Sequence, residues 1–201
     1  VFTNFTVTGD AVVNGGKWTH PLNTTSTPKY HLAVSVGGTF TLGAAASIDA
    51  SQKGYAVNVY HPGSALGAHG GASGNLAKAY DSPYQPFYPG SGGANYAGGG
   101  AIWIDCAGAV VLNGAIKADS VQDSNAWNGI QSGAGGSVYV RGATISGSGT
   151  LSAKSSPASQ YGPAACGRVP VEFVGTDTFG LPGHNLSLFA SPGDPADSGV
   201  R

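Results

Sequence analysis

The sequence predicts an all-β fold, a β-solenoid of about five short coils that carries one long loop. Three observations lead there. First, a run of small residues opening into an alternating strand occurs three times: Gly98-Gly99-Gly100-Ala101-Ile102-Trp103-Ile104, Gly135-Gly136-Ser137-Val138-Tyr139-Val140 and Gly167-Arg168-Val169-Pro170-Val171. Ile102 to Val138 is 36 residues and Val138 to Val169 is 31, a suitable length for one turn of a solenoid. Second, a further strand-like motif follows the first two phrases, at residues 111–118 and 145–153. Third, Gly is 34 of 201 residues, and no segment places apolar residues at helical spacing.

Taken in order, residues 5–13 supply an opening strand. Residues 34–42 and 47–50 repeat the two-part form of a full coil. Val34 to Ile102, Val36 to Ile104 and Ile48 to Ile116 are each 68 residues, which suggests one shared register. Residues 61–99 contain no second strand pair, so they read as an insertion at the turn of a single coil. The whole chain is then one domain: an N-terminal strand and cap at 1–31, coils at 32–174 with the insertion, and a C-terminal cap or tail at 175–201. Glycine and alanine suit tight corners where a larger side chain would strike the next coil. Ile102, Ile104, Val138, Val140, Val169 and Val171 should face inward, with Trp103, Tyr139 and Pro170 stacked outward. Insertion loop or C-terminal segment should cover that outward column. A β-sandwich built from the same strands is the alternative.

Only 9% of residues are charged and the net charge is −1. With no basic cluster, the chain lacks the footprint of a nucleic-acid-binding protein. No apolar run approaches the ~20 residues of a membrane span. The chain starts at Val1 without Met or a signal-peptide pattern, which reads as a processed or excised piece. Sequons at Asn4, Asn23 and Asn185 are candidate glycosylation sites.

Residues 80–83 leading to Pro89-Gly90-Ser91-Gly92-Gly93, then 98–104, 112–118, 132–140, 147–153 and 167–169, resemble a recurring module. It belongs to very large glycine-rich secreted or cell-surface proteins of adhesin- or autotransporter-like type. The resemblance covers about residues 32–174. It implies a right-handed parallel β-helix with an extracellular or cell-surface, structural or adhesive role, and it brings no catalytic residues. The chain departs from the pattern at residues 118–121 and 153–156, and Cys166 replaces a turn glycine.

The insertion concentrates polar aromatic residues: His61, His69, Tyr80, Asp81, Tyr84, Phe87, Tyr88 and Tyr96. Tyrosine faces stack on pyranose rings while carboxylates hold hydroxyls, so Tyr80, Asp81, Tyr84, Tyr88, Tyr96 and Trp127 are candidate carbohydrate contacts. The same residues could instead pin a glycine-rich loop to the solenoid wall. His61, His69 and Asp81 lack the spacing of a compact metal motif, and no cofactor or metal is expected. Asp119, Asp123 and Asn125 read as a solvated turn rather than a calcium loop. Asp105, Arg141 and Glu172 stand three residues after Ile102, Val138 and Val169, and should form a ladder of alternating charge.

The expected function is a structural or adhesive module without catalysis, with polysaccharide or neighbouring copies and domains as partners. A polysaccharide lyase or glycoside hydrolase working beside Asp105 is the competing expectation. An ice-binding face finds no repeated Thr-x-Thr ladder. Cys106 and Cys166 are offset along the strand direction and by two coils, so a disulfide between them is disfavoured.

Overall fold

The computed structural model describes residues 4–71, 78–120, 132–155 and 164–174, and the backbone of 187–189. Its first strands are β1 (Asn4–Val7), β2 (Ala11–Val13) and β3 (Gly16–Trp18). Next come β4 (Leu32–Val36), β5 (Phe40–Leu42) and β6 (Ala46–Asp49), then β7 (Ala101–Cys106), β8 (Ala109–Leu112) and β9 (Ala115–Lys117). β10 (Ser137–Gly142), β11 (Thr144–Ser146), β12 (Thr150–Ser152), β13 (Val171–Phe173) and β14 (Ser187–Phe189) complete the series. They form three sheets, ordered β1-β4-β7-β10-β13, β2-β5-β8-β11 and β3-β6-β9-β12-β14. Each pairing among them is parallel. This arrangement is consistent with a β-solenoid and excludes the antiparallel sandwich. Among the described residues no helix is long and apolar enough to cross a membrane.

Like residues stack in columns inside the three sheets. Val34, Ile104, Val140 and Val171 share one position, Phe40, Val110 and Ile145 a second, and Trp18, Ile48, Ile116 and Leu151 a third. Most are fully buried, and each such side chain contributes about 1.5–3 kcal/mol of transfer free energy. Val138 lies opposite Ile102, and the Val140–Val171 pairing puts Val169 opposite Val138, as the repeated phrase predicts.

Two expectations need correction. The uniform offset of 68 holds only in the third sheet, where Ile48 meets Ile116. In the first sheet Val34 meets Ile104 and Leu32 meets Ile102, and in the second Phe40 meets Val110; both are offsets of 70. The difference sits in one corner: Leu42 to Ser47 is five residues, whereas Leu112 to its counterpart Ala115 is three. A slip of two leaves the same face inward, so alternation alone does not detect it. The opening strand at 5–13 is in fact two strands meeting at a corner, where Asp10 Oδ1 accepts from the Thr39 amide at 2.7 Å. β3 follows it, so the first strands join all three sheets.

The connections β3–β4, β6–β7, β9–β10 and β12–β13 all leave at the corner between the third and first sheets, where the glycine phrase lies. There the backbones of successive passes hydrogen-bond directly. Gly99 donates to Ala134 O, Gly136 to Ala118 O, Gly100 to Ala50 O and Gly167 to Ala153 O, at 2.8–2.9 Å. A Cβ on Gly99 would overlap the Ala118 carbonyl, and one on Gly136 the Gly100 carbonyl. Close approach of two main chains, more than turn geometry, requires glycine here.

His20 fits against this corner, 2% exposed, where a Cβ on Gly100 would otherwise point. Its Nε2 accepts from the Ala101 amide at 3.2 Å, so the ring proton sits on Nδ1 and is donated to Pro21 O at 2.8 Å. Burial, the largest influence, lowers its pKa from 6.5 to about 4. The folded chain therefore binds this proton more weakly than the unfolded chain. His20's contribution to stability is whole above pH 6.5 and is lost as pH falls through about 4. That loss should amount to about 3 kcal/mol, and denaturant unfolding of His20→Gln should lack this part of the pH slope.

Candidate functional site

The outer face of the first sheet carries two adjacent columns. Ala33, Trp103 and Tyr139 occupy one, and Ser35, Asp105, Arg141 and Glu172 the other. The insertion crosses the first of these. Its path is organised by Asp81, which has φ +73°, a conformation aspartate tolerates better than most side chains. Asp81 Oδ1 accepts from the Ser82 amide at 2.8 Å, and Oδ2 accepts from the Phe87 and Tyr88 amides, both at 2.8 Å. Ser82 Oγ accepts from the amides of Tyr84 and Gln85. Residues 81–88 are thus folded around one carboxylate.

The loop is fixed to the wall by buried polar contacts. His69, fully buried, places Nδ1 2.8 Å from Gly135 O and Nε2 3.4 Å from Asp81 Oδ2. Ser137 Oγ donates to Tyr88 O at 2.6 Å, and Arg168 Nη2 donates to Tyr80 O at 3.1 Å. Tyr80 donates its hydroxyl to Pro89 O at 2.7 Å, while His61 stacks on its ring at 4.4 Å. Burial acts to raise the Asp81 pKa, but the hydrogen bonds from His69, Phe87 and Tyr88 outweigh it and hold the carboxyl below its ordinary range. Burial pushes the Tyr80 phenol well above its ordinary range.

Ser137, His69 and Asp81 have the composition of a hydrolytic triad without its geometry. One nitrogen, His69 Nε2, faces both Ser137 Oγ at 3.3 Å and Asp81 at 3.4 Å, while Nδ1 is engaged by a carbonyl. A nucleophilic triad needs the serine and the acid on opposite ring nitrogens, with the hydroxyl open to substrate. Here the hydroxyl is committed to Tyr88 O and fully buried. Its role is anchorage. Sequence reading missed this set; the available signal was Ser137, a hydroxyl where the preceding strand has Ala101.

Under the loop the aromatic column is covered, as the sequence suggests. Phe87 packs on Trp103 at 6.1 Å, Trp103 on Tyr139 at 4.0 Å, and Tyr139 is fully buried. Tyr139 donates its hydroxyl to Glu172 Oε2 at 2.5 Å. Burial first, and then the Glu172 carboxylate, push the phenol pKa up. Beside the column the charge ladder forms in the expected register. Arg141 Nη1 lies 3.2 Å from Asp105 Oδ1, and its Nε lies 3.5 Å from Glu172 Oε1. All three side chains are about two-fifths exposed, so each pair contributes roughly 0–1 kcal/mol.

The other candidate residues are scattered. Tyr84 is 77% exposed, Phe87 and Tyr88 are exposed along one edge, and Tyr96 is half-buried in the turn that returns to Gly93. Trp127, Asp123, Asn125 and Asn185 lie outside the described residues. Asn4 is exposed, with Oδ1 3.0 Å from His31 Nε2. Asn23 is 1% exposed, and its side chain joins Lys29, Tyr30 and Lys53 through four hydrogen bonds, so glycosylation there would disrupt a folded loop. Asp119 is not a solvated turn residue: it accepts from Ser152 Oγ and, at 2.7 Å, from the Lys154 amide. Cys106 donates to Gly38 O at 2.9 Å and is not joined to Cys166. Among the described residues no group of three His, Cys, Asp or Glu side chains is placed to hold a metal.

Two clefts accompany these features. One of about 490 Å3 follows the ladder, between Thr6, Ser35, Gly37, Asp105 and Arg141. A larger one of about 700 Å3 opens between Phe5, Trp18, Leu32 and Lys53 and shares no residue with the ladder face. Comparison with protein-family models, curated proteins and solved structures yields no match.

Asp81→Ala should free three backbone amides and cost about 2–4 kcal/mol. In a chain with Trp18 and Trp127 replaced by Phe, Trp103 fluorescence should then become accessible to acrylamide. Because the folded pKa of Asp81 is depressed, its contribution is present above the unfolded carboxyl range and is lost as pH falls through the lower folded value. Quencher access in the parent chain should therefore rise only in strong acid.

Proposed function

We propose that this chain is a structural and adhesive module of an extracellular or cell-surface protein, and that it binds polymeric carbohydrate. It is a right-handed parallel β-helix of about five coils, related to adhesin- or autotransporter-like modules. Its partners are polysaccharide and neighbouring domains or copies of the parent protein.

The observation that carries this reading is the loop held by Asp81. It presents Tyr84, Phe87 and Tyr88 at the surface, while the Phe87 and Tyr88 amides are held by the Asp81 carboxylate and the Tyr88 carbonyl by Ser137. Aromatic side chains on a backbone already held in place stack on sugar faces with little further loss of backbone freedom.

The competing reading as a lyase or hydrolase finds less support. Glycoside hydrolysis needs two carboxyl groups with separate acid and base roles. Asp105 and Glu172 both bind one guanidinium instead, and Glu172 also receives the Tyr139 hydroxyl. A glycan array run beside an activity screen on polymeric sugars tests the choice. Binding without depolymerisation is expected, and Tyr84→Ala, at a side chain 77% exposed, should weaken it about tenfold at unchanged melting temperature. Depolymerisation that vanishes in folded Asp105→Asn would replace the adhesive reading with the enzymatic one.

A further inference from the structure

The geometry points to the cleft along the Thr6–Ser35–Asp105–Arg141 column, which Glu172 continues one strand further, as the path of the polymer, and to a neutral or amino-bearing polysaccharide as its ligand. This rests on the carbohydrate-binding reading and goes on to name the chemical class. The ladder residues occupy the same lateral position on neighbouring strands, continuing a column that begins with the hydroxyls of Thr6 and Ser35. Strands about 4.8 Å apart make this a line of polar groups running across the sheet. The cleft of about 490 Å3 lies along the part of that line from Thr6 to Arg141. An extended polymer is therefore the shape that fits, rather than a compact small molecule.

Loop and ladder lie on the same outward face of the first sheet. Asp105 and Arg141 stand two residues after Trp103 and Tyr139 on the same outward face, and Phe87 covers Trp103. The exposed ring of Tyr84 belongs to that covering loop.

Charge sets the ligand class. Arg141 is the sole cation among the described residues lining the cleft, and it is shared between Asp105, which also lines the cleft, and Glu172, which stands just beyond it. The ladder is thus net negative, and Asp10, two residues beyond Thr8, adds another exposed carboxylate at the same corner. A guanidinium has five N–H donors and a carboxylate has about four acceptor positions, so paired groups keep spare capacity for hydroxyls. Ammonium groups would gain from the excess carboxylate. A uronate polymer would meet like charge with no unpaired cation to receive it.

The test measures binding of the whole chain to immobilised neutral β-glucan, chitosan and polygalacturonate at low and moderate salt. At least one of the first two should bind about tenfold or more tightly than polygalacturonate. Ser35→Lys, and independently Thr6→Lys, should narrow or reverse that preference by placing a free cation in the cleft. Polygalacturonate binding as tightly as the others would overturn the inference and leave carbohydrate binding standing. So would a preference that neither lysine changes while Tyr84→Ala abolishes binding. Binding to none of the polymers tested here or on the glycan array would remove the carbohydrate reading and this inference with it.

Discussion

Direct contact between main chains at one corner governs this structure. At the junction of the third and first sheets, successive passes are close enough for Gly99, Gly100, Gly136 and Gly167 to hydrogen-bond to carbonyls of adjoining passes. No space remains for a Cβ at Gly99 or Gly136. The spacing that results brings Ile102 onto Val138 and Ile48 onto Ile116, and the apolar columns follow from it. Parallel sheets gain less from each local turn than hairpins do, because every pairing is remote in sequence. The glycine corner offsets this by making one phrase repeat the same contact.

The same corner decides where anything else can be attached. The insertion leaves and returns there, and it lies against the adjacent face of the first sheet. Its position is then fixed by three buried polar groups that meet from distant parts of the chain: His69, Asp81 and Ser137. Burying them is tolerable because each finds partners, chiefly backbone amides and carbonyls. The outcome is an unusual division of labour for an aromatic-rich loop. Tyr80 and Phe87 turn toward the wall or the covered column, while Tyr84 and one edge of Tyr88 remain free to meet a ligand.

Much of the scaffold could be read from the chain, because the repeated phrase encodes a repeated contact. The register of β7, β10 and β13, the ladder of Asp105, Arg141 and Glu172, and the covered Trp103–Tyr139 column all follow from residue spacing. The offset between β4 and β7 does not, since a slip of two residues preserves the inward face. Less of the site was legible. Asp81 appears in the sequence as a candidate sugar contact, yet its carboxylate is enclosed by the amides of its own loop. Ser137 and His69 are 68 residues apart, and no local pattern announces their meeting. Asn23 shows the converse problem: a sequon is visible in sequence, whereas its burial is a property of the folded loop.

Glycine at this corner is required by contact between passes. Denaturant unfolding of Gly136→Ala beside Gly15→Ala measures this requirement most directly, because a Cβ at Gly15 would meet nothing within 4 Å. Gly136→Ala should lower stability by about 2–3 kcal/mol or prevent folding, while Gly15→Ala should stay within roughly 0.5 kcal/mol of the parent. Equal tolerance of the two substitutions would contradict the stacked-backbone corner and the register built on it.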